Sequence, residues 1–439
     1  MPSDLTPSDI ARDRRLEATD AGKAWSLQVV AHTHWDREWY LPAVRFRARL
    51  IALVDALLEA PPDAAAPFLL DGQSIVLADY LEIRPERSAD VARALGSGAL
   101  EAGPWYVLAD NLIPSGEAIV RNLEAGRRWL TRMGARAPRV AYCPDTFGHP
   151  AALPLIAAGF ACDAAIVWRG FGGSSFPSGD TAWWVGPDDS RVLLTHLPPD
   201  GYEFGGALPA SEAEALLRWR AITSVMRPRN DTGVSLLLSG ADHHAASPHL
   251  ARALELLSGV AQHESTNVTR SGLSQAADAM HQAAAQYESG GAHLPIVRGE
   301  LRDSYGYTWT LQGTLGTRAH LKRTNARLER AMLRDVESWM TLAWLHAPLR
   351  ARAIAADGSL SLAQLPVLAH AAWETLLRTH PHDTLCGCSV DAVAADMQSR
   401  QRAVAAQVKE RREASLAIAL GHDRVAARGG AVRDQPLTV

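Results

Sequence analysis

This sequence of 439 residues has few cysteines, no net positive charge and no long apolar run. It contains four cysteines, and Cys386-Gly387-Cys388 has no second pair elsewhere that would complete a zinc ribbon. So few thiols suit a protein in which they stay reduced, and a cytoplasmic localisation is expected. A redox role for Cys386 and Cys388 is the minor alternative.

Charge and hydropathy argue against two classes of partner. The 44 Lys and Arg against 48 Asp and Glu give a net charge of −4, which provides no electrostatic basis for binding nucleic acid or an anionic membrane. No run of about 18 apolar residues occurs, so no membrane span is predicted. Residues 1–23 lack the apolar segment of a signal peptide, and we expect a flexible leader there.

The densest group of potentially reactive side chains is residues 32–40, with the sequence His-Thr-His-Trp-Asp-Arg-Glu-Trp-Tyr. It follows an apolar run, residues 27–31, that is typical of a buried strand. His34 and Asp36 are two residues apart, so in an extended chain they point to the same side and can reach one metal ion. For this segment alone the alternative is a surface loop rich in His and Trp.

From residue 24 to about 305, short apolar runs alternate with helix-like segments. This alternation predicts an α/β domain whose mostly parallel strands are buried on both faces. Ligands bind such folds at the carboxyl ends of the strands. Further apolar runs follow the first, and one of them is Trp105–Leu108. Each of these runs is followed by a charged residue: Asp71, Asp110, Asp145, Arg169, Asp200, Asp242 or Glu300. Because turns favour Gly, Ser and Asn, this repetition indicates one shared cleft.

The pattern changes to long helices in residues 306–425. Helical spacing extends over Gly313 to His346, Leu362 to Thr379 and Asp391 to Leu420, and the short connections predict a three-helix bundle. Residues 426–439 are rich in turn-forming residues and are expected to form a tail or linker.

Four of these side chains form a candidate metal centre. His34 and Asp36 follow the first strand, Asp145 follows a middle strand, and His382 lies between two bundle helices. Two imidazoles and two carboxylates suit Zn²⁺, although harder ions also accept such ligands. Asp383 is a candidate for orienting His382 or its neighbour. The histidines expected to be structural or on the surface include His149, His196, His243, His244 and His320.

The same segments resemble glycoside hydrolase family 38, the retaining α-mannosidases. The matching pieces occur in the family's order between about residues 27 and 400. They are residues 32–39, Asp71-Gly72-Gln73, Pro104-Trp105-Tyr106, residues 115–117 with 121–123, Pro144 to His149, Trp168-Arg169-Gly170, residues 299–302, residues 322–325 with 328–329, and His382-Asp383.

This resemblance implies a seven-stranded parallel α/β barrel-like catalytic domain (residues 24–305) followed by the three-helix bundle (residues 306–425). It also implies one zinc held by His34, Asp36, Asp145 and His382, with Asp145 doubling as the nucleophile. A retaining glycosidase needs, besides the nucleophile, an acid/base carboxyl about 5 Å away. Asp242 is our candidate because it occupies the matching strand end.

The substrate implied by the resemblance is an α-mannoside or a mannose-containing oligosaccharide. Arg169 is expected to hold the nucleophile or a sugar hydroxyl, Trp39 to offer a face to a sugar ring, and Tyr202 to offer a hydroxyl. The alternative for both aromatic residues is a place in the core.

Members of this family continue into β-sandwich domains that help close the active-site groove. The present sequence stops at Val439, so we expect either self-association or a complementing chain that carries those domains. A catalytically incomplete, mannose-binding fragment is one alternative function. Another is a metal-dependent barrel hydrolase of a different type, in which His32 is a ligand because His32-Thr33-His34 resembles the paired histidines of amidohydrolases.

Overall fold

The structure is a computed structural model that describes residues 25–61, 67–172, 179–304, 309–350 and 364–420, with the backbone alone for 346–350. The predicted leader and tail lie outside these ranges. Within them the chain forms ten strands: β1 (Trp25–Thr33), β2 (Phe68–Leu70), β3 (Leu100–Glu101), β4 (Val140–Cys143), β5 (Ala164–Val167), β6 (Thr181–Val185), β7 (Arg191–His196), β8 (Val234–Ser239), β9 (Thr266–Arg270) and β10 (Ile296–Arg298).

Two five-stranded sheets enclose a common core. The first has the order β3-β2-β1-β8, with β9 also paired to β1, and the second has the order β10-β6-β7-β5-β4. All pairs are parallel except β6 with β7. Val30 and Leu69 of the first sheet share a buried cluster with Val140, Ile166 and Leu193 of the second. The two sheets therefore surround one interior, as in a barrel.

Strand β1 is buried along almost its whole length because both of its faces are covered. Leu27, Val29 and Ala31 belong to the cluster that also contains Phe46, whereas Val30 belongs to the interior cluster. Alternate residues of a strand point to opposite faces, so a strand covered on both faces needs apolar residues on both, as Leu27, Val29 and Val30 provide. This arrangement places the end of β1 at the mouth of the barrel.

The α/β class and the helical C-terminal region agree with the sequence prediction, but the strand arrangement differs in detail. In place of seven parallel strands, the described residues form ten, including the antiparallel β6–β7 pair. The strand predicted at Trp105–Leu108 is wrong, because only a bridge from Gln73 to Trp105 forms there. The Asn122 side chain accepts hydrogen bonds from the amides of Tyr106 and Val107 at 2.9 Å, which removes them from any ladder.

Helices cover the sheets and form the C-terminal region. Those of the α/β region are α1 (Ala43–Glu59), α2 (Ile75–Leu81), α3 (Ser88–Ser97), α4 (Gly116–Arg132), α5 (Leu153–Gly159), α6 (Glu212–Met226), α7 (Leu250–Gln262) and α8 (Leu273–Ser289). The C-terminal region contains α9 (Ala319–Ala331), continued by a π-helical turn (Met332–Glu337) into α10 (Ser338–Arg350), then α11 (Gln364–Leu377), the short α12 (His382–Leu385) and α13 (Asp391–Leu420). No helix among the described residues is long and apolar enough to cross a membrane.

The helical region packs directly on the α/β region. Leu328, Trp373 and Val404 from three of its helices share a cluster with Ala118 of α4. Glu38, fully buried after β1, accepts a hydrogen bond from Thr384 Oγ1 at 2.9 Å. These contacts fix α12, which carries His382, against the end of β1.

Asp180 joins the two sheets through a buried hydrogen bond. It precedes β6 of the second sheet, and Ser235 of β8 in the first sheet donates to its Oδ2 at 3.2 Å. Burial raises the pKa of Asp180 from 3.8 to about 6. The folded state therefore binds this proton more tightly than the unfolded chain, so its stabilising effect is present at low pH and is lost as pH rises through about 6.

We predict that Asp180→Asn, which keeps the shape but cannot ionise, removes this pH dependence. From about pH 4.5 to about pH 7.5, the free energy of unfolding of the variant relative to the parent should rise by about 2 kcal/mol. Urea unfolding at the two pH values measures the difference. A difference that stays constant with pH would show that Asp180 is ionised in both states.

Candidate active site and metal centre

Two of the predicted metal ligands follow β1 directly. His34 forms an isolated parallel bridge with Asp242, which follows β8, so both residues lie at the carboxyl edge of the first sheet. His34 Nε2 lies 3.3 Å from Asp36 Oδ1, and both side chains are almost completely buried. The spacing of two residues therefore brings the imidazole and the carboxylate together, as the extended-chain argument predicted.

The helical region supplies His382 to the same point. The backbone N–H of His382 donates to the carbonyl of Leu108 at 2.9 Å, which positions the start of α12 over the barrel. His382 Nε2 lies 3.2 Å from Asp36 Oδ1 and 3.5 Å from Asp145 Oδ2. All four predicted ligands thus meet in one place, although they span about 350 residues of sequence.

The donor atoms at this point fit a divalent cation. His34 Nε2, Asp36 Oδ1 and His382 Nε2 are buried and face one another, yet none of them makes a hydrogen bond. His34, Asp145 and His382 each offer a ligand atom, and these atoms lie within 4.8 Å of one another. Buried polar atoms without partners cost free energy, and nitrogen and carboxylate oxygen are suitable zinc donors.

The electrostatics of the cluster also favour a cation. Burial lowers the pKa of His34, but the carboxylates of Asp71 and Asp36 outweigh it and raise that pKa well above its usual value. Burial and the charge of Asp36 raise the pKa of Asp383 to about 8. Several carboxylates therefore lie close together in a space that excludes water, and a bound cation would offset their mutual repulsion.

Asp71 orients the first imidazole. Its Oδ1 lies 3.0 Å from His34 Nδ1, and its Oδ2 accepts from the backbone N–H of Trp35 at 2.8 Å and from Gln73 Nε2 at 3.0 Å. An N–H at Nδ1 that donates to this carboxylate leaves the Nε2 lone pair of His34 available to a metal. Asp71 and Gln73 belong to a sequence motif for which no role was predicted.

Replacing Asp71 by Asn is predicted to weaken zinc binding by about 10–100-fold, the usual effect of losing a partner that orients a metal-bound histidine. Asp71 has a left-handed backbone with φ of 53°, which Asn tolerates well, so the turn should survive. Competition with a chromophoric chelator measures the affinity. Asp163→Asn, at a half-exposed residue paired with Arg139, is the matched control; equal affinities in all three proteins would contradict this role.

Arg169 holds the predicted nucleophile. Its Nε donates to Asp145 Oδ1 at 2.7 Å, and its Nη2 lies 2.6 Å from the same oxygen. Burial alone would raise the pKa of Asp145, but the guanidinium of Arg169, followed by His382, lowers it below its usual value. Asp145 is therefore kept ionised, as a carboxylate nucleophile must be.

Aromatic rings surround that guanidinium. Its carbon lies 4.3 Å from the ring centre of Trp168 and 5.6 Å from those of Phe147 and Trp309. Trp309 is 44% exposed, and its carbonyl accepts from Arg169 Nη1 at 3.1 Å. Trp309 is thus an exposed aromatic face beside the nucleophile, which the sequence analysis missed because no motif precedes it directly.

The three remaining predicted residues occupy different surroundings. Asp242 is half-buried and paired with His34 by the bridge described above. The Tyr202 ring lies 4.6 Å from that of His34, and burial followed by the charges of Asp145 and Asp242 raises the pKa of Tyr202. Trp39 is half-buried, packs against the core cluster that contains Phe46, and contacts the Tyr40 ring at 5.1 Å.

Two further histidines lie near the cluster and differ in role. His32 Nε2 is 2.9 Å from the carbonyl of Tyr202, so it is hydrogen-bonded to the backbone, which disfavours the alternative with His32 as a ligand. His243, expected to be structural or on the surface, accepts from the backbone N–H of Asp36 at 3.2 Å through Nε2. It therefore helps to position a predicted ligand.

The fold and the site define an α/β protein with a candidate metal and carboxylate centre at the carboxyl ends of its strands. Comparison with known families identifies it further. Residues 24–300 match the "Glycosyl hydrolases family 38 N-terminal domain", and residues 309–418 match the "Alpha mannosidase middle domain". The chain belongs to glycosyl hydrolase family 38.

Individual relatives agree with this assignment. The chain is 32% identical over 85% of its length to a Halalkalibacterium halodurans protein named "Putative mannosylglycerate hydrolase", and 26% identical over 84% to human alpha-mannosidase 2C1. The crystal structure of an alpha-mannosidase from Enterococcus faecalis V583 superposes with a TM-score of 0.76 at 30% identity over 90% of this chain. The chain spans 40%, 32% and 42% of these three proteins, respectively.

Proposed function

We propose that this protein is a zinc-dependent, retaining α-mannosidase that removes terminal mannose through a covalent mannosyl-aspartate intermediate. The observation that carries the proposal is the convergence of His34, Asp36, Asp145 and His382, whose buried donor atoms approach one another to 3.2–3.5 Å. Membership of family 38 and the arginine clamp on Asp145 support it.

The four side chains would hold one Zn²⁺, with His34 oriented by Asp71 and His382 adjacent to Asp383. When bound, such an ion would attract hydroxyl oxygens of the sugar and assist distortion of its ring. The protein's own contribution is to hold the ligands in a dry site and to keep Asp145 ionised.

In the first chemical step, a carboxylate oxygen of Asp145 attacks the anomeric carbon while the bond to the leaving oxygen breaks. Asp242 donates its proton to that oxygen. In the second step, the Asp242 carboxylate takes a proton from water, the water oxygen attacks the anomeric carbon, and Asp145 is released. Two inversions return mannose with the α configuration retained.

The place of Asp242 supports its assignment as the acid/base. It lies at the end of β8, directly beside the β1 end that carries His34. Burial, followed by the charges of Asp145 and Asp242, raises the pKa of Tyr202, which is consistent with a phenol near both carboxylates. Tyr202 and Trp309 are accordingly assigned to the substrate pocket, with Trp39 on its rim.

We assign the substrate as a terminal α-mannoside in the cytoplasm. The four thiols are all unpaired, as expected in a reducing compartment. A relative named for mannosylglycerate hydrolysis makes a small mannosyl conjugate the first natural substrate to test.

The experiment is hydrolysis of an activated aryl α-mannoside by the purified 439-residue chain, followed by proton NMR of the first-formed sugar. The proposal predicts turnover that disappears with a chelator, returns with zinc, and yields α-mannose first. Turnover that persists without metal, or β-mannose as the first product, would contradict it.

A second candidate is that catalysis requires further domains on this or another chain. Trp344, Leu345 and Val367 of the helical region are each more than half exposed, although they are large apolar side chains. Zinc binding without turnover by the purified chain, and turnover after a chain carrying further domains of a relative is added, would support this candidate. Such surfaces also suit self-association, which light scattering measures.

A further inference from the structure

A second group of ligand-type side chains begins at Asp383, the residue after His382 in the chain. Asp383, Cys386 and Cys388 bring one carboxylate oxygen and two sulfurs within 4.8 Å of one another. Cys388 Sγ lies 3.0 Å from Asp383 Oδ1 and 3.2 Å from Cys386 Sγ. The reaction proposed above uses neither thiol.

The loop that carries the two thiols is held in place from outside. Gly387 has a φ of 85°, and a Cβ there would lie 2.8 Å from Thr317 Oγ1. Thr317 Oγ1 and Lys322 Nζ each donate to the carbonyl of Cys386 at 2.7 Å. The backbone N–H of Cys388 donates to Cys386 Sγ at 3.4 Å. Both sulfurs are thereby kept on one side of the turn.

Asp383 lies between the two groups of ligands. Its Oδ2 is 4.0 Å from His382 Nε2, and its Oδ1 faces Cys388. A cation on the sulfur side would therefore neutralise and orient this carboxylate beside His382. Asp383 would lie between the two metal sites, and the two sulfurs would not be ligands of the site that contains His34.

The charges and the exposure suit a divalent, thiophilic ion. Two thiolates and a carboxylate carry three negative charges, which a divalent cation and the ammonium of Lys322 together balance. Sulfur ligands favour zinc and softer metals over magnesium or calcium. Cys386 is buried whereas Cys388 is exposed, so an ion can enter from the side of Cys388.

We propose that Asp383, Cys386 and Cys388 form a second cation site, for a zinc-like thiophilic ion, distinct from the site of His34, Asp36, Asp145 and His382. On binding, each thiol releases its proton to solvent and each sulfur donates a lone pair to the ion, without any change of oxidation state. The inference does not depend on glycosidase activity.

Cobalt titration of the reduced, metal-depleted chain tests the proposal by spectroscopy. The first site contains nitrogen and oxygen donors only, so a sulfur-to-cobalt charge-transfer band in the near ultraviolet reports thiolate ligation. We expect two bound equivalents, one of which develops the band. Cys388→Ser changes an exposed position. The affinity for the ion that develops the band should fall at least about tenfold, the smallest loss typical when a residue that only orients a metal ligand is replaced.

Matched variants separate the two thiols from the others. Cys162→Ser removes a buried thiol elsewhere and should keep the band. The double variant Cys386→Ser with Cys388→Ser should bind a single equivalent without the band, and circular dichroism confirms that it is folded. Absence of the band from the reduced parent chain, or its survival in the folded double variant, would overturn the proposal.

Discussion

Asp145→Ala is expected to lower turnover of an aryl α-mannoside by about 10⁴- to 10⁶-fold, the range seen when a hydrolase loses a residue of its nucleophilic machinery. The reason is the double position of this carboxylate. Its Oδ1 is held by Arg169 and its Oδ2 lies 3.5 Å from His382, so the substitution removes both the attacking group and a predicted metal ligand.

Azide separates these two effects. A small anion can enter the space left by the carboxylate and attack the anomeric carbon of a substrate with a good leaving group. Since this is a single displacement, the product should be β-mannosyl azide, whereas the parent enzyme gives α-mannose. Rescue by azide with inverted configuration is expected in Asp145→Ala supplied with zinc, and is detected by NMR.

The control for this prediction is Asp163→Ala, which removes a carboxylate of the same type outside the cluster. Its turnover should match that of the parent. If Asp145→Ala retained full activity, or if azide products appeared equally in Asp163→Ala, the assignment of Asp145 as the nucleophile would be wrong.

His382→Gln is expected to abolish turnover and the zinc binding of the cluster formed by His34, Asp36 and Asp145. His382 is the contribution of the helical region to the cluster, with Nε2 within 3.5 Å of Asp36 and Asp145. A ligand that binds only the folded state at about a thousand times its dissociation constant stabilises that state by about 4 kcal/mol. Zinc should therefore stabilise the parent by about that amount more than it stabilises His382→Gln, in which only ions bound elsewhere can contribute.

His263→Gln is the matched control because His263 is an exposed histidine at the end of α7. It should show the full zinc effect in urea unfolding and in activity. Equal stabilisation of His382→Gln and the parent by zinc would mean that the helical region contributes no ligand. The barrel alone would then have to hold the metal.

Local sequence patterns were sufficient for the parts of the site that lie next to one another in the chain. The apolar run before residue 32 predicted β1, and the spacing of His34 and Asp36 predicted that the two side chains point the same way. Asp145 and Arg169 were found because they follow β4 and β5, which are short apolar strands ended by charged residues.

The partners of these residues could not be predicted because they depend on pairing over long distances. The contact between His34 and Asp71 follows from the register of β1 with β2, and His243 reaches Asp36 through the pairing of β1 with β8. A single sequence contains no signal for register between strands that are separated by 30 to 200 residues. These pairings decide which carboxylate orients which imidazole.

The errors in strand assignment have an equally physical origin. Strand β9 contains exposed and half-buried polar residues, so its sequence lacks the apolar run expected of a buried strand. Trp105–Leu108 contains such a run and is completely buried, but side-chain amides of Asn122 and Gln73 bind its backbone. Apolar character therefore indicated burial at Trp105–Leu108 but not its lack of strand pairing, and the absence of an apolar run left β9 unpredicted.

The most direct test of the proposed metal centre is an anomalous difference map, at the zinc absorption edge, from crystals of the chain grown with zinc. We predict a peak about 2.0–2.2 Å from His34 Nε2, Asp36 Oδ1, Asp145 Oδ2 and His382 Nε2. A zinc peak bonded to His32, or the absence of any peak among these four side chains in zinc-saturated crystals, would contradict it.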